Sequence, residues 1–383
     1  MTFRDALAAP GFGAVAEFKR RSPSAGDLRP DGDVAAVARS YEAAGARAMS
    51  VLVDERFGGS WDDLRAARAA TKLPLLAKGF FSTPEHLETA RDAGASAVLP
   101  LLRDLPDAVA AALLRTARTL RLDTLVEAHD ADELARAAAL DAPVIGINAR
   151  DLSTFQIDRR AQLALLARAP RDRILVAESA IESRAQAAEA ELAGATAVLV
   201  GSTLMRAPDP GAKLRELVSR PLVKVCGLTR QDDVDAAVDA GADMVGFILA
   251  AESPRRADAV LDAPETVLRV AVFVGEAEET DAGLVQLYER ENGHRSRDAV
   301  LLRDGRRVGT VVDLPWSEPD ATHLERAAAT PGRVMLAGGL GADNVAEAIA
   351  AVQPWAVDSA RSTESSPGVK HRDALREWVE AAR

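Results

Sequence analysis

The chain has 383 residues, of which 48% are hydrophobic and 4% aromatic, and its 47 Lys and Arg against 58 Asp and Glu give a formal net charge of −11. This composition is typical of a compact protein of about two domains, and an acidic chain without a basic block argues against a nucleic-acid partner. No run approaches the roughly 18 apolar residues of a membrane span, so no membrane role is expected, and the single cysteine, Cys226, excludes an intrachain disulfide and predicts a cytoplasmic location.

The first half of the chain alternates Ala-rich amphipathic runs with short apolar, β-branched runs. An Ala-Gly-Ala step separates the two kinds of run at 44–46, 93–95 and 193–195, and glycine there suits the left-handed end of a helix. The pattern predicts eight strands, at 14–19, 49–53, 73–78, 97–101, 123–128, 144–148, 174–179 and 197–201. Eight parallel strand–helix units predict an α/β fold of the closed (β/α)8 TIM-barrel type, and no G-x-G-x-x-G follows the first strand, which disfavours a dinucleotide site.

A second series of strands begins after Arg220-Pro221, so we expect one domain over 1–219 and another over 222–383. Its eight predicted strands lie at 222–227, 244–249, 269–275, 284–288, 298–302, 309–314, 333–339 and 356–360. A full barrel usually needs about 250 residues, and the stretches between strands four and six are too short for helices. We therefore predict two fused TIM barrels, the second shortened by the loss of two or three helices on one side.

Polar residues follow the strands of the first barrel at their carboxyl ends, where barrels of this type carry their chemistry. They are Glu17, Lys19, Lys78, Glu127, Asn148, Arg150, Glu178, Ser179 and the Gly201-Ser202 turn. A single Lys or Glu at a strand end is most simply explained as half of an ion pair at the rim of the barrel. Two amines and three carboxylates around one mouth instead favour proton transfer to and from a substrate, because burial and neighbouring charges push the pKa values of these groups apart. The Gly201-Ser202 turn before a short helix is typical of a phosphate site.

Seven ordered segments of this half, together covering nearly all of 14–219, resemble indole-3-glycerol phosphate synthase. They are AEFKRRSPSAG (16–26), SVLVDERFGGSWDDL (50–64), LLAKGFF (75–81), LVEAHDADEL (125–134), IGINARDLSTF (145–155), VAESAI (176–181) and VGSTLM (200–205). The resemblance implies ring closure of 1-(2-carboxyphenylamino)-1-deoxyribulose 5-phosphate with loss of CO2 and water.

The same resemblance implies a role for each matching residue. Lys78 is the general acid, Lys19 holds the anthranilate carboxylate and Glu127 handles protons in the dehydration, while Glu17, Asn148 and Glu178 orient these groups. The residues expected to line the substrate or its phosphate are Ser22, Arg150, Ser179, Gly201 and Ser202. Phe57 and Phe80 are expected to pack on the aromatic ring, with ordinary core packing as the open alternative.

Three features depart from that family. Gly79 stands where a carboxylate usually follows the lysine, and we expect it to loosen the loop. Ala180 stands where glycine is usual, and we expect it to present its N–H only with a negative φ. The first strand is preceded only by Met1–Gly13, which we expect to leave the barrel mouth more open.

The second half resembles phosphoribosylanthranilate isomerase through VKVCGLTRQDD (223–233), GADMVGFILAAESPR (241–255), VAVFVG (270–275), VQLY (285–288), LAGGLGADNV (336–345) and the tail Glu364–Lys370. The resemblance implies an Amadori rearrangement of N-(5-phosphoribosyl)anthranilate. It implies Cys226 as the base, Asp313 as the acid and Arg255 as the ligand of the anthranilate carboxylate, with Gly338, Gly339 and Asp358 at the last two strand ends. Taken alone, Cys226 reads more simply as a buried apolar cysteine.

The departures in the second half concern its phosphate contacts. Pro315-Trp316-Ser317 replaces a glycine-rich loop, and Ala360-Arg361-Ser362 replaces a Ser-Ser-Gly turn. We expect Arg361 to compensate for the altered backbone contacts with the phosphate by a direct charge-assisted hydrogen bond. Tyr288 stands in place of a histidine. The segment carrying His294, Arg295 and Arg297 is expected to be a solvated charged loop, with substitute substrate contacts as the alternative.

These observations favour a bifunctional enzyme of tryptophan biosynthesis that acts, as a monomer, on phosphorylated anthranilate-sugar substrates. One alternative keeps the synthase and treats the second barrel as a non-catalytic partner; another makes the whole chain a sugar-phosphate binding module. A related histidine-pathway aminoaldose remains open as a substrate of the second barrel. No cofactor is expected, because both reactions are acid–base chemistry without net redox change, and no metal site is expected from the spacing of His, Cys and Asp.

Overall fold

The structure divides the chain into two units. The computed structural model describes residues 1–22, 26–151, 154–314 and 321–383. One unit comprises 1–182 with 190–218, and the other comprises 183–189 with 219–383. The functional domains at 1–219 and 222–383 stay predictions. Within the described residues, no helix is both long and apolar enough to cross a bilayer.

The first unit contains a closed barrel of eight parallel strands, each paired with the next and the last with the first. The strands are β1 (Gly13–Phe18), β2 (Ala48–Leu52), β3 (Leu75–Lys78), β4 (Ala97–Val98), β5 (Asp123–Ala128), β6 (Val144–Asn148), β7 (Ile174–Glu178) and β8 (Ala197–Val200). All eight predicted strands are present; β5 and β6 have the predicted bounds, and the ends of the others differ by at most three residues.

Helices precede, separate and follow these strands. They are α1 (Phe3–Ala8), α2 (Val34–Ala43), α3 (Trp61–Ala70), α4 (Pro84–Asp92), α5 (Asp107–Thr119), α6 (Ala131–Ala139), α7 (Arg159–Arg168), α8 (Arg184–Ala193), α9 (Ser202–Arg206) and α10 (Pro210–Val218). Phe3 and Leu7 of α1 join the apolar cluster of inward-facing strand residues, including Val15, Leu125 and Val176. Because one face of each strand fills the barrel and the other meets helices, the strands are nearly continuous apolar runs, and the polar exceptions fall at their carboxyl ends.

The second unit also contains a closed eight-stranded barrel. Its strands are β9 (Leu222–Cys226), β10 (Met244–Ile248), β11 (Leu268–Val274), β12 (Leu284–Glu291), β13 (His294–Arg303), β14 (Arg306–Asp313), β15 (Val334–Ala337) and β16 (Ala356–Ser359), and its helices are α11 (Gln231–Asp239), α12 (Ala321–Ala329), α13 (Val345–Val352) and α14 (Arg372–Ala381). The prediction of a barrel with reduced helices is confirmed. The expected number was too small, because all four fully described connections from β10 to β14 lack an α-helix.

One strand of the second barrel runs against the others. β13 pairs antiparallel with both β12 and β14, whereas the remaining pairs are parallel. The first turn is Asn292-Gly293, with φ of 49° and 82°, and the second is Asp304-Gly305, with φ of 48° and 71°. Two consecutive residues at positive φ make the tight hairpin turn that suits twisted strands, and a tight hairpin can join only antiparallel neighbours. Two hairpins in succession restore the original direction at β14, so the barrel still closes.

Candidate active sites

The mouth of the first barrel brings together the two lysines and three glutamates predicted from the sequence. The Lys78 Nζ lies 3.0 Å from Glu178 Oε2, 3.5 Å from Glu17 Oε2 and 3.9 Å from Glu127 Oε2. The Lys19 Nζ lies 2.7 Å from Glu17 Oε1. The three glutamate side chains are at most 3% exposed, and the lysines about a fifth exposed at 18% and 20%. The site is therefore a buried charge cluster whose amines still reach solvent.

Burial and charge act in opposite directions on these groups. Burial lowers the pKa of Lys78, but three carboxylates outweigh it and the pKa is raised, so the amine stays protonated. Burial raises the pKa of Glu17, but Lys19 and Lys78 bring it below its ordinary value. At Glu178 burial prevails over Lys78 and the pKa is raised, whereas at Glu127 contacts with His129 and Lys78 outweigh burial and the pKa is lowered. Neighbouring carboxyls with opposite shifts suit separate acid and base roles.

Asn148 connects three predicted site residues. Its Nδ2 donates to Glu127 Oε1 at 3.0 Å, while its Oδ1 accepts from the Ser179 hydroxyl at 2.8 Å and from the Arg150 backbone N–H at 2.9 Å. Since two donors meet Oδ1, the orientation of the amide is fixed by its neighbours. Asn148 therefore holds the carboxylate of Glu127 in place.

His129 is not among the predicted site residues, yet it contacts Glu127. Its Nε2 lies 3.1 Å from Glu127 Oε1, and its Nδ1 lies 2.9 Å from Glu133 Oε2. The sequence held a signal for it, because a residue two positions after Glu127 in an extended segment projects to the same side.

A cavity of about 300 Å³ opens beside the charge cluster. The predicted residues that line it are Glu17, Lys19, Lys78, Arg150, Ser179, Gly201 and Ser202, joined by Ala180, Thr203 and Arg206, which were not predicted. Ser22, Phe57, Phe80, Glu127, Asn148 and Glu178 are not among its lining residues. Ser22 is buried at the end of the first strand of a short hairpin. Glu178 accepts a hydrogen bond from Lys78, and Glu127 accepts one from Asn148.

Two glycines make room for the carboxylates. A Cβ at Gly201 would lie 2.2 Å from Glu17 Oε1 and 3.0 Å from Lys19 Cε. A Cβ at Gly146, a position that was not predicted, would lie 2.1 Å from Glu178 Oε1. Both glycines have ordinary φ, so an alanine at either position would displace the neighbouring carboxylate rather than strain the backbone.

The condition set for Ala180 to present its N–H, a negative φ, is not met. Ser179 and Ala180 have φ of 71° and 52°, in the left-handed region. The turn after β7 requires this conformation, which glycine adopts without the steric cost that Ala180 bears. Gly79 has no positive φ; a Cβ there would lie 3.0 Å from Val53 Cγ2, so the position is tightly packed.

Two phenylalanines and an arginine stack at the edge of the mouth. The rings of Phe57 and Phe80 have centroids 6.5 Å apart at 24°, and the Arg56 guanidinium lies 4.1 Å from the Phe80 ring centroid. Phe80 is 42% exposed, so ordinary core packing is the wrong reading for this residue. Contact of these rings with an aromatic substrate stays a prediction.

The second barrel has a cavity of about 560 Å³ at its mouth. All seven site residues predicted for this half line it: Cys226, Arg255, Asp313, Gly338, Gly339, Asp358 and Arg361. A Cβ at Gly338, where φ is 78°, would lie 2.2 Å from Asp313 Oδ1. Within the described ranges, no group of three His, Cys, Asp or Glu side chains is placed to hold a metal ion.

Cys226 sits at the end of β9 with 5% of its surface exposed. Burial raises the pKa of its thiol, and the nearby Lys224 ammonium opposes that shift. Lys224 is fully buried, with its Nζ 2.9 Å from Asp358 Oδ2 and 2.8 Å from Gln286 Oε1. The Lys224 cation favours the thiolate form of Cys226, but burial prevails and the pKa of the thiol stays above its ordinary value.

Asp313 is held by a residue from the reversed strand. Its Oδ2 lies 2.8 Å from Arg295 Nη2 and 3.4 Å from the Tyr288 hydroxyl, and the Arg295 guanidinium stacks 4.4 Å from the Tyr288 ring centroid. Burial raises the pKa of Asp313, with Arg295 opposing it. The expected loop is wrong: His294, Arg295 and Arg297 belong to β13, and the first two line the cavity while Arg297 is exposed.

Arg255 binds another side chain of the same unit. Its Nε lies 2.9 Å from Glu364 Oε1 and its Nη2 lies 2.8 Å from Glu364 Oε2. Its expected contact with a substrate carboxylate stays a prediction. Arg361 begins a short 3-10 turn beside the cavity, and Pro315-Trp316-Ser317 lie outside the described residues.

Comparisons with known proteins agree with this architecture. Residues 1–217 match the family described as indole-3-glycerol phosphate synthase, and 278–381 match the family described as N-(5'phosphoribosyl)anthranilate (PRA) isomerase. The chain is 45% identical over 217 residues to "Indole-3-glycerol phosphate synthase 2" of Streptomyces coelicolor, covering 56% of this chain and 84% of that protein. It is 49% identical over 214 residues to "Indole-3-glycerol phosphate synthase" of Leifsonia xyli, covering 55% of this chain and 82% of that protein.

Solved structures similar to the chain include TrpF from Jonesia denitrificans, at 26% identity, a TM-score of 0.34 and coverage of 43% of this chain and 97% of that one. Another is phosphoribosyl anthranilate isomerase from Thermotoga maritima, at 25% identity, a TM-score of 0.34 and coverage of 43% and 98%. These TM-scores are too low to support a structural argument, whereas the family matches are extensive. The chain therefore belongs to the indole-3-glycerol phosphate synthase family, and at residues 278–381 it carries a domain that matches the PRA isomerase family.

Proposed function

We propose that the first barrel closes the indole ring of 1-(2-carboxyphenylamino)-1-deoxyribulose 5-phosphate. The observation that carries the proposal is the contact of one protonated amine, Lys78, with three buried carboxylates beside a cavity of about 300 Å³. The raised pKa of Lys78 supports its role as general acid, because the amine carries its proton at neutral pH.

The chemistry balances with these groups and one proton from solvent. The ring carbon that bears the carboxylate attacks the ketone carbon, and Lys78 protonates the carbonyl oxygen as the new carbon–carbon bond forms. Loss of CO2 returns its electron pair to the ring. Lys78, reprotonated from solvent, gives the hydroxyl a second proton so that it leaves as water, and Glu127 removes the proton from the adjacent carbon that completes the pyrrole. The lowered pKa of Glu127 keeps its carboxylate ionised and able to accept that proton.

Substrate placement follows from the remaining lining residues. Lys19 is the amine nearer solvent that pairs with Glu17, and it is the proposed ligand of the anthranilate carboxylate. The phosphate is assigned to the backbone of Gly201 and Ser202, with Arg206 on the same cavity wall.

The second barrel is assigned the Amadori rearrangement of N-(5-phosphoribosyl)anthranilate. Asp313 protonates the ring oxygen as the ribose opens, and Cys226 removes the C2 proton from the resulting iminium to give the enamine, which tautomerises to the ketone. The cavity that exposes both groups supports this assignment. The product is the substrate of the first barrel.

A second candidate is a non-catalytic second barrel. It is favoured by the Arg295 contact with Asp313 and by the Glu364 contact with Arg255, since both engage residues assigned to substrate chemistry. The purified protein given each substrate separately distinguishes the candidates. We expect both to be consumed, and we expect Cys226→Ala to abolish the isomerisation while indole formation persists. A wild-type protein that leaves both phosphoribosylanthranilate and the related histidine-pathway aminoaldose unchanged would establish the non-catalytic alternative.

The binding-module reading has its own test. Loss of indole formation in Lys78→Ala with substrate affinity retained would exclude it, whereas wild-type protein that binds both substrates without converting either would support it. A monomeric state and a cytoplasmic location stay predictions; the single cysteine supports a reducing compartment, and sedimentation would measure the state of association.

A further inference from the structure

His129 bridges two carboxylates at the mouth of the first barrel. It follows β5, and Asp130 behind it caps α6 by accepting from the Glu133 backbone N–H at 2.8 Å. The Glu133 carboxylate returns to His129, with Oε2 lying 2.8 Å from its backbone N and 2.9 Å from its Nδ1. On the other side of the ring, Nε2 lies 3.1 Å from Glu127 Oε1, an ion-pair distance without hydrogen-bond geometry. The imidazole therefore ties the first turn of α6 to the proposed proton acceptor.

The surroundings of the ring determine its protonation. A neutral imidazole carries one N–H and one lone pair, and an ionised carboxylate only accepts hydrogen bonds. With Glu127 at one nitrogen and Glu133 at the other, a neutral ring would set a lone pair against a carboxylate oxygen. Burial lowers the pKa of His129, but the two carboxylates outweigh it and raise it to about 10. These two groups, from β5 and α6, are the charges that face the ring.

The two oxygens of Glu127 have different surroundings. Oε1 meets both Asn148 Nδ2 at 3.0 Å and His129 Nε2 at 3.1 Å. Oε2 is buried, has no hydrogen-bond partner among the described residues, and lies 3.9 Å from Lys78 Nζ. Buried polar atoms without a partner are uncommon and call for a reason. A role in accepting a substrate proton supplies one.

We propose that His129 is a positioning residue: as a lasting imidazolium it holds Oε1 of Glu127 and leaves Oε2 as the oxygen that accepts the substrate proton. The inference rests on the proposed ring closure, in which Glu127 acts after CO2 is lost. Without the ring cation, Glu127 loses one of its two contacts at Oε1 and a charge that favours its ionised form. Turnover should then fall, while substrate affinity should hold, because His129 does not line the cavity.

The charge of the ring can be measured without turnover. In protein labelled with 15N-histidine, we expect both ring nitrogens of His129 to carry protons from pH 6 to pH 8, and we expect Glu133→Gln to bring its titration down by at least one pH unit. A singly protonated His129 at pH 7 in the wild type would overturn the inference. If the wild-type protein did not form the indole product, the proposed function would fail. The 15N spectra would still report the charge of His129, because they do not depend on turnover.

Kinetics test the positioning role. For His129→Asn and for Glu133→Gln, which retains the ring, we expect kcat to fall at least about tenfold with KM within twofold of the wild type. In Glu133→Gln the alkaline limb of the kcat profile should move to lower pH. His86→Asn is the matched control, since His86 is an exposed histidine of the same unit. Variants at 129 and 133 with wild-type kcat and an unmoved pH profile would contradict the proposal.

Discussion

Replacement of Lys78 by methionine removes the one cation shared by three buried carboxylates. Methionine has a similar length and no charge, so the change isolates the ammonium. The Nζ lies within 3.0 to 3.9 Å of the three glutamates, and breaking a buried ion pair costs about 3–5 kcal/mol. Because a fifth of the lysine side chain reaches solvent (20%), water screens part of the loss and we expect about 3 kcal/mol at pH 8.

The loss should depend on pH with a definite sign. Without Lys78 the folded-state pKa values of the buried carboxyls rise, and a group with a raised pKa stabilises the fold at low pH and loses that contribution as the pH rises through it. Lys78→Met should therefore approach wild-type stability at pH 5 and lose most at pH 8. Urea unfolding at both pH values measures this. Lys72→Met, at an exposed lysine of the same unit, is the control and should change stability by less than about 0.5 kcal/mol.

The same variant should lose about 10²–10⁴-fold in kcat for ring closure, the range for a general acid. Indole fluorescence follows the reaction, and isothermal titration with substrate establishes that binding persists. A variant as stable as the wild type at pH 8, or equally destabilised at pH 5 and pH 8, would refute the electrostatic reasoning. A kcat within tenfold of the wild type would refute the role of Lys78 as acid.

Four further changes test separate parts of the account. Ala180→Gly should raise the free energy of unfolding by about 1 kcal/mol, because the left-handed conformation penalises alanine; an unchanged urea midpoint would count against the strain. Gly201→Ala should lower kcat/KM about 100-fold by displacing Glu17, whose Oε1 would lie 2.2 Å from the new Cβ; steady-state rates within twofold of the wild type would contradict the close approach. Alkylation of Cys226 by iodoacetamide should be slow at pH 7 and still accelerate above pH 9, since burial raises the pKa of the thiol; a plateau below pH 8 would show the opposite. Glu178→Gln should flatten stability against pH, because a carboxyl with a raised pKa stabilises the wild type below its unfolded pKa and loses that contribution as pH rises; the same slope between pH 5 and pH 8 in variant and wild type would exclude Glu178 as its source.

The barrels themselves could be predicted from the sequence because strand and helix periodicity is local. Each apolar run flanked by an Ala-Gly-Ala step or a polar strand end formed the expected strand. The convergence of Lys19, Lys78 and Glu127 followed from one rule, that parallel strands of a closed barrel end at the same face. No pairwise contact had to be known in advance.

The reversed strand of the second barrel was also encoded locally but was not predicted. Asn292-Gly293 and Asp304-Gly305 are the dipeptides that favour two-residue hairpins. The expectation of parallel strand–helix units hid that signal. Residues 298–302 were predicted as a strand, but the charged residues His294, Arg295 and Arg297 before them were assigned to a loop. As a strand, this segment carries Arg295 to Asp313.

Other features depend on distances that no sequence pattern gives. The left-handed φ of Ala180 results from how the chain turns after β7, since alanine itself does not favour it. Gly146 and Gly201 make room for carboxylates that lie far away in the sequence. The spacing of His129 from Glu127 partly indicated their contact. The contact of His129 with Glu133 could not be predicted, because it depends on how the first turn of α6 is placed beside the ring.

A crystal structure of the chain with reduced 1-(o-carboxyphenylamino)-1-deoxyribulose 5-phosphate tests most directly whether the first barrel's mouth is the ring-closing site. We expect the phosphate against the backbone of Gly201 and Ser202, the aromatic carboxylate at Lys19 and the C2 oxygen within hydrogen-bonding distance of Lys78. A ligand bound only in the second barrel, with the first mouth empty at saturating concentration, would contradict the account.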